Sequence, residues 1–88
     1  MSKDILDKII LKAKEYGARK LYLFGSSAES ETFRDIDVAC SGIRGWNLFR
    51  FAGELENELG FNIDIVNIDK ESDFVKRIKL GMKLIYES

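Results

Sequence analysis

The chain has 88 residues, 45% of them hydrophobic and 11% aromatic, which fits one small domain with a packed core rather than a disordered segment. Its 14 basic and 15 acidic residues leave a formal charge of −1, so there is no long-range attraction for nucleic acid. One cysteine and no histidine exclude an internal disulfide and argue against a structural zinc site, which leaves carboxylates, metal and water to carry any catalysis.

The sequence shows no leader peptide and no apolar run of membrane-spanning length, and a cytoplasmic location is expected. The first element is a helix over residues 2–16, with Leu6, Ile9, Ile10, Ala13 and Tyr16 in helical register and Gly17 as its cap. A short buried strand follows over Lys20–Phe24, and Gly25 stops it. Ser26 and Ser27 are N-cap residues for a helical turn from Ala28 onward. A glycine lets an anion approach the backbone, and the free N–H groups of the turn behind it favour phosphate oxygens. Glu29 and Glu31 read as solvated, and Phe33 as packing this loop onto the body.

Asp35-Ile36-Asp37 then runs into Val38-Ala39-Cys40 as a second strand. Positions 35 and 37 share one face, while Ile36 and Val38 share the other. Carboxylates so placed repel unless a cation lies between them, and oxygen-only ligands suit Mg²⁺ or Mn²⁺ with phosphate completing the shell. Cys40 reads as a small buried hydrophobe.

Ser41–Gly45 is a loop, and 46–59 a helix carrying Leu48, Ala52, Leu55 and Leu59 in register, capped by Gly60. Trp46, Phe49 and Phe51 exceed what one face of this helix needs. The expectation is that they finish the core, with a partner-binding patch as the alternative. Phe61–Ile68 is a third strand by its β-branched run, placing Asp64 on the face opposite Ile63 and Ile65. Asp69 reads as a turn or cap residue. Ser72 or Asp73 caps a last helix lined by Val75, Ile78, Met82 and Ile85. Its other side carries Lys76, Arg77, Lys79 and Lys83, read as a solvated face that could also hold a triphosphate or an acidic partner. Three strands interleaved with helices make an α/β (α+β) domain with one layer of sheet backed by helices.

Phe24-Gly25-Ser26, a short spacer and Asp35-Ile36-Asp37-Val38 together resemble the signature of nucleotidyltransferases in the DNA polymerase beta superfamily. More narrowly, the chain resembles the minimal nucleotidyltransferase domains, often encoded beside a small helical HEPN-type partner in toxin–antitoxin pairs. The likeness covers nearly the whole chain, including the strand around Asp64 and the ending Gly81–Glu87.

The resemblance implies a mixed sheet and a metal-dependent transfer of a nucleoside monophosphate, AMP from ATP, to an acceptor outside the chain. Asp35 and Asp37 would hold Mg²⁺ on the nucleotide phosphates, and a second metal would be bridged by these two and Asp64. Asp64 would accept the proton of the attacking hydroxyl. Gly25, Ser26 and Ser27 would grip the β- and γ-phosphates. The acceptor is expected on a partner protein, a HEPN-type toxin first, because little of the chain remains beyond the core. The spacer here is shorter than is usual in such domains and lacks their arginine, so the alternative is a degenerate module that neutralises its partner by contact. A small-molecule nucleotidyltransferase is disfavoured, since those carry additional substrate-binding domains.

Overall fold

The computed structural model describes residues 2–25 and 35–88. Ser26 and Ser27, the helical turn expected from Ala28, and Glu29, Glu31, Phe33 and Arg34 lie outside the described residues. In order, the described elements are α1 (Lys3–Glu15), β1 (Lys20–Phe24), β2 (Asp35–Ser41), α2 (Trp46–Leu59), β3 (Asn62–Asn67), α3 (Asp73–Ile78) and β4 (Lys83–Glu87).

Helix α1 starts where expected because Ser2 Oγ accepts the Ile5 N–H at 3.3 Å. Asp4 in its first turn and Lys12 and Lys14 in its last complement the helix dipole. Helix α2 ends at Gly60, whose φ of 74° gives the left-handed turn that lets its N–H bond Glu56 O at 2.9 Å. The Tyr16 hydroxyl donates to Glu54 and its ring meets Phe51 edge-on at 5.9 Å, tying α1 to α2.

The strands form one mixed sheet in the order β3-β2-β1-β4. β1 runs antiparallel to both β2 and β4, whereas β2 and β3 are parallel. One face carries Leu21, Leu23, Ile36, Val38, Cys40 and Ile63, and packs against Ile9 and Ala13 of α1 and Phe51, Ala52 and Leu55 of α2. This is the core. Cys40 lies within it, and burial pushes its thiol up to about 12, which leaves it an inert small hydrophobe. No described helix is long and apolar enough to cross a membrane.

Two expectations need correcting. The sheet has four strands, not three: the last helix ends at Ile78, and residues 83–87 form the edge strand β4. The spacing Ile78, Met82, Ile85 satisfies a helical period, yet Leu80 and Gly81 close the helix with bonds to Arg77 O and Ile78 O. Beyond them, β4 satisfies the free edge of β1 and brings Ile85 and Tyr86 onto the core. Trp46 and Phe49, in turn, do not finish the core. They are 83% and 70% exposed, with ring centroids 6.0 Å apart, and Phe51 alone of the three is buried.

Candidate functional site

The face of the sheet turned away from α1 and α2 carries the chemistry. The parallel register of β2 and β3 sets Asp35 opposite Asn62 and Asp37 opposite Asp64. Side chains opposite one another share a face, so the alternation that buries Ile36, Val38 and Ile63 brings the acidic positions together on the other side. Asp37 is half-buried, while Asp35 and Asp64 are exposed. The Asp37 and Asp64 carboxyls are hydrogen-bonded to each other. Burial first, then the charge and hydrogen bond of Asp64, then the charge of Asp35 push the Asp37 carboxyl above its ordinary pKa.

Asp35 takes a slightly different course: Asn62 Nδ2 donates to its Oδ1 at 3.2 Å. Among the described residues, no three histidine, cysteine or acidic side chains are drawn into one ready cage. A third like charge has no reason to join the Asp37–Asp64 pair without a cation. The donor set is nonetheless all oxygen and strongly acidic, with one carboxyl held back from ionising by its neighbours. That chemistry fits a hard divalent cation.

Gly25 stands against this group. A β-carbon there would lie 2.5 Å from Asp37 Oδ2, and its φ of +65° disfavours any side chain. Phe24, paired with Asp37 across β1 and β2, lies beside it. The structure thus brings together Gly25, Asp37 and Asp64 and sets Asp35 on the same face beside Asn62, while Ser26 and Ser27 lie outside the described residues.

Sequence reasoning missed Asn62 and Phe74 as neighbours of the site. Asn62 precedes Asp64 by two positions on the same strand face, a signal that was available; the ring contact of Phe74 with Phe24 was not. Asp69 is the turn residue expected, and more. Its carboxylate accepts from Ser41 Oγ at 2.6 Å, Gly42 N–H at 3.1 Å and Asn67 Nδ2 at 3.4 Å. The Ser41 hydroxyl, then the Gly42 N–H, lower its pKa. This clamp ties the end of β3 to the loop entering α2. Beside it a cleft of about 410 Å³ is lined by Arg44, Gly45, Leu48, Asn67, Asp69 and Lys70. It lies at the far ends of β2 and β3, remote from Asp37.

The model of the polymerase beta nucleotidyltransferase family matches residues 7–88. No curated protein matches the sequence. Among solved structures, the chain is similar to one of a toxin–antitoxin with AMP-PNP, at 22% identity and a TM-score of 0.81, over 94% of this chain and 73% of that one. It is also similar to a structure of the tri-AMPylated Shewanella oneidensis HEPN toxin in complex with MNT antitoxin, at 21% identity and a TM-score of 0.80, over 100% and 74% of the two chains. A third, the toxin–antitoxin MntA–HepT, gives 19% identity and a TM-score of 0.79, over 99% and 74%. At these identities the likeness speaks for the fold, a mixed sheet with helices, and the assignment rests on the family match across nearly the entire sequence. The chain belongs to the polymerase beta nucleotidyltransferase family.

Proposed function

We propose that this chain, acting as a single minimal nucleotidyltransferase domain over residues 1–88, transfers AMP from ATP to a hydroxyl of a partner protein in the cytoplasm. In this reading it is the antitoxin of a toxin–antitoxin pair, and a HEPN-type toxin is the acceptor. The observation that carries the reading is the Asp37–Asp64 pair, set across the parallel strands and faced by a glycine that leaves room beside it. The neighbours described as toxin–antitoxin complexes, one with AMP-PNP and one with an AMPylated toxin, support the choice of nucleotide and acceptor.

Mg²⁺ or Mn²⁺, bound through the carboxylates, would neutralise charge on the phosphates and on the attacking and leaving oxygens. Asp35 and Asp37 are the residues to hold it on the nucleotide, and Asp64 completes the ligand set. Gly25 lets the phosphates approach the backbone, with Ser26 and Ser27 gripping them as the family resemblance implies. The acceptor hydroxyl oxygen forms a bond to the α-phosphorus and gives its proton to Asp64. The bond from the α-phosphorus to the bridging oxygen breaks, and pyrophosphate leaves with the electron pair. Positioning and charge neutralisation supply the rate.

The test is mass spectrometry of the protein encoded beside this chain after incubation with the chain, ATP and Mg²⁺. An added nucleotide that disappears with Asp37→Asn is the expected result. The second reading, a module that neutralises its partner by contact alone, is favoured by the exposed Trp46–Phe49 pair. A complex that forms and neutralises the partner without covalent change, equally in wild type and Asp37→Asn, would replace the enzyme reading with this one.

A further inference from the structure

The carboxylate face also carries an apolar surface that transfer from ATP does not by itself require. Strand register lays it out in rows. Asp64, Asp37 and Phe24 form one row across β3, β2 and β1, and Val66, Ala39, Tyr22 and Leu84 form another across all four strands, in which Ala39 is buried and Leu84 is the exposed end. Side chains directly opposite stand about 5 Å apart at their β-carbons, so Phe24 is one position from Asp37. Phe74 of α3 sets its ring edge-on to Phe24, with centroids 6.4 Å apart. Phe74 and Leu84 are each about half exposed, and Leu80, just past α3, is 90% exposed.

Charge changes sign along this surface. Asp35, Asp37 and Asp64 lie at one side, whereas Lys76 and Arg77 belong to α3 and Lys79 is its C-cap. Arg77 follows Phe74 by three positions and so shares its flank of the helix. Lys79 is engaged with Glu71 at 3.5 Å; Lys76 and Arg77 are exposed. A surface with large apolar groups at its centre and an exposed arginine at its rim complements an apolar protein segment that carries an acidic residue.

We propose that this surface seats the acceptor segment of the partner protein. An apolar side chain of that segment packs on Phe74 and Leu84, an acidic residue faces Arg77, and its hydroxyl is delivered along the row to Asp37 and Asp64. The inference rests on the nucleotidyltransferase reading, and it separates two surfaces. Trp46 and Phe49 begin α2, the helix that covers the opposite face of the sheet, so they are not positioned to deliver a hydroxyl to the carboxylates.

The experiment uses the full chain and the protein encoded beside it, with Phe74→Ala, Leu84→Glu and Arg77→Glu. Arg77 is exposed, so its replacement tests the surface even where Phe74→Ala weakens the fold. Each variant is expected to raise KM for the partner about tenfold, with kcat at saturating partner and KM for ATP unchanged. Partner affinity is measured separately by calorimetry in an Asp37→Asn background, where the same tenfold loss is expected. That arm holds even if wild type transfers nothing, so failure of the enzyme reading and failure of this one are distinguishable. A rise in KM for ATP instead of partner would make Phe74 a nucleobase platform and overturn the proposal. Unchanged partner affinity in Phe74→Ala and Leu84→Glu, or no binding of the partner to the unaltered chain, overturns it as well.

Discussion

A β-carbon at position 25 would sit 2.5 Å from Asp37 Oδ2, on a backbone with φ of +65°. Gly25→Ala therefore pushes that carboxylate aside and adds about 1–2 kcal/mol of backbone strain. A lower Tm and at least about a tenfold loss of Mg²⁺–ATP affinity by calorimetry are expected. Equal ATP binding would put the phosphates elsewhere. Asp37 sits half-buried against two other carboxylates, so Asp37→Asn removes repulsion in the metal-free protein. Its melting temperature should hold or rise slightly, by up to about 1 kcal/mol of stability, while transfer falls about a hundredfold or more. Asp69 behaves in the opposite way, because hydrogen bonds from Ser41 and Gly42 lower its pKa in the folded chain. Such a group stabilises the fold fully above its unfolded pKa, and the contribution is lost as pH falls through the lowered folded value. Asp69→Asn should cost about 1 kcal/mol at neutral pH, a small figure because the group is largely solvated. It should also flatten the acid limb of a stability-against-pH curve; an unchanged acid limb would refute the clamp.

At the level of elements, what could be read from the sequence was whatever local chemistry decides. Ser2 and Ser72 cap their helices, and Gly60 ends α2. The alternation in Asp35–Cys40 and Phe61–Ile68 correctly divides core face from acidic face. Even the partnership of Asp37 with Asp64 was foreshadowed, since an aspartate amid isoleucines needs a reason to be there. The fate of residues 83–87 was not legible, because two local readings were equally good and a distant strand chose between them. Leu84, Ile85 and Tyr86 fit either a helix or a β-strand, and the unpaired edge of β1 made the strand the better answer. Trp46 and Phe49 were misjudged for a related reason: periodicity finds a helix but cannot say how much core remains to be filled. The edge strand yields its own prediction. A chain ending at residue 81 leaves one edge of β1 unpaired and uncovers the core beneath Ile85 and Tyr86. The loss should amount to about 2–4 kcal/mol for two partly buried side chains, together with aggregation through the bared edge. Chemical denaturation and size-exclusion chromatography would detect both, and a monomer of undiminished stability would contradict it.

Over the whole molecule, the two faces of the sheet divide the labour. Helices α1 and α2 supply the core on one side, and the acidic row lies open on the other, where burying three carboxylates without cations would be prohibitive. Among the described residues the site is shallow, excludes little water and has no pocket to orient an acceptor hydroxyl, so the isolated chain should transfer almost nothing. In the proposed reaction, orientation comes from a partner, and the described surface offers two apolar handholds. One is the Trp46–Phe49 pair at the start of α2; the other is the Phe74–Leu84 surface beside the carboxylates. They flank opposite faces of a sheet in a body measuring 30 × 26 × 21 Å, so a partner touching both must wrap one end of the molecule. The two contacts should then fail differently. Trp46→Ala removes an exposed aromatic anchor and should weaken the complex by about 2 kcal/mol, with kcat at saturating partner and Mg²⁺ affinity unchanged. Phe74→Ala should act on the acceptor segment instead. With no shared partners between the patches, the double variant should lose the sum of the two binding energies to within about 0.5 kcal/mol. Calorimetry on the four proteins of that cycle decides the matter. Strong coupling between the two substitutions would mean that both side chains grip one feature of the partner, and that the division of the surface into a handle and an acceptor seat is wrong.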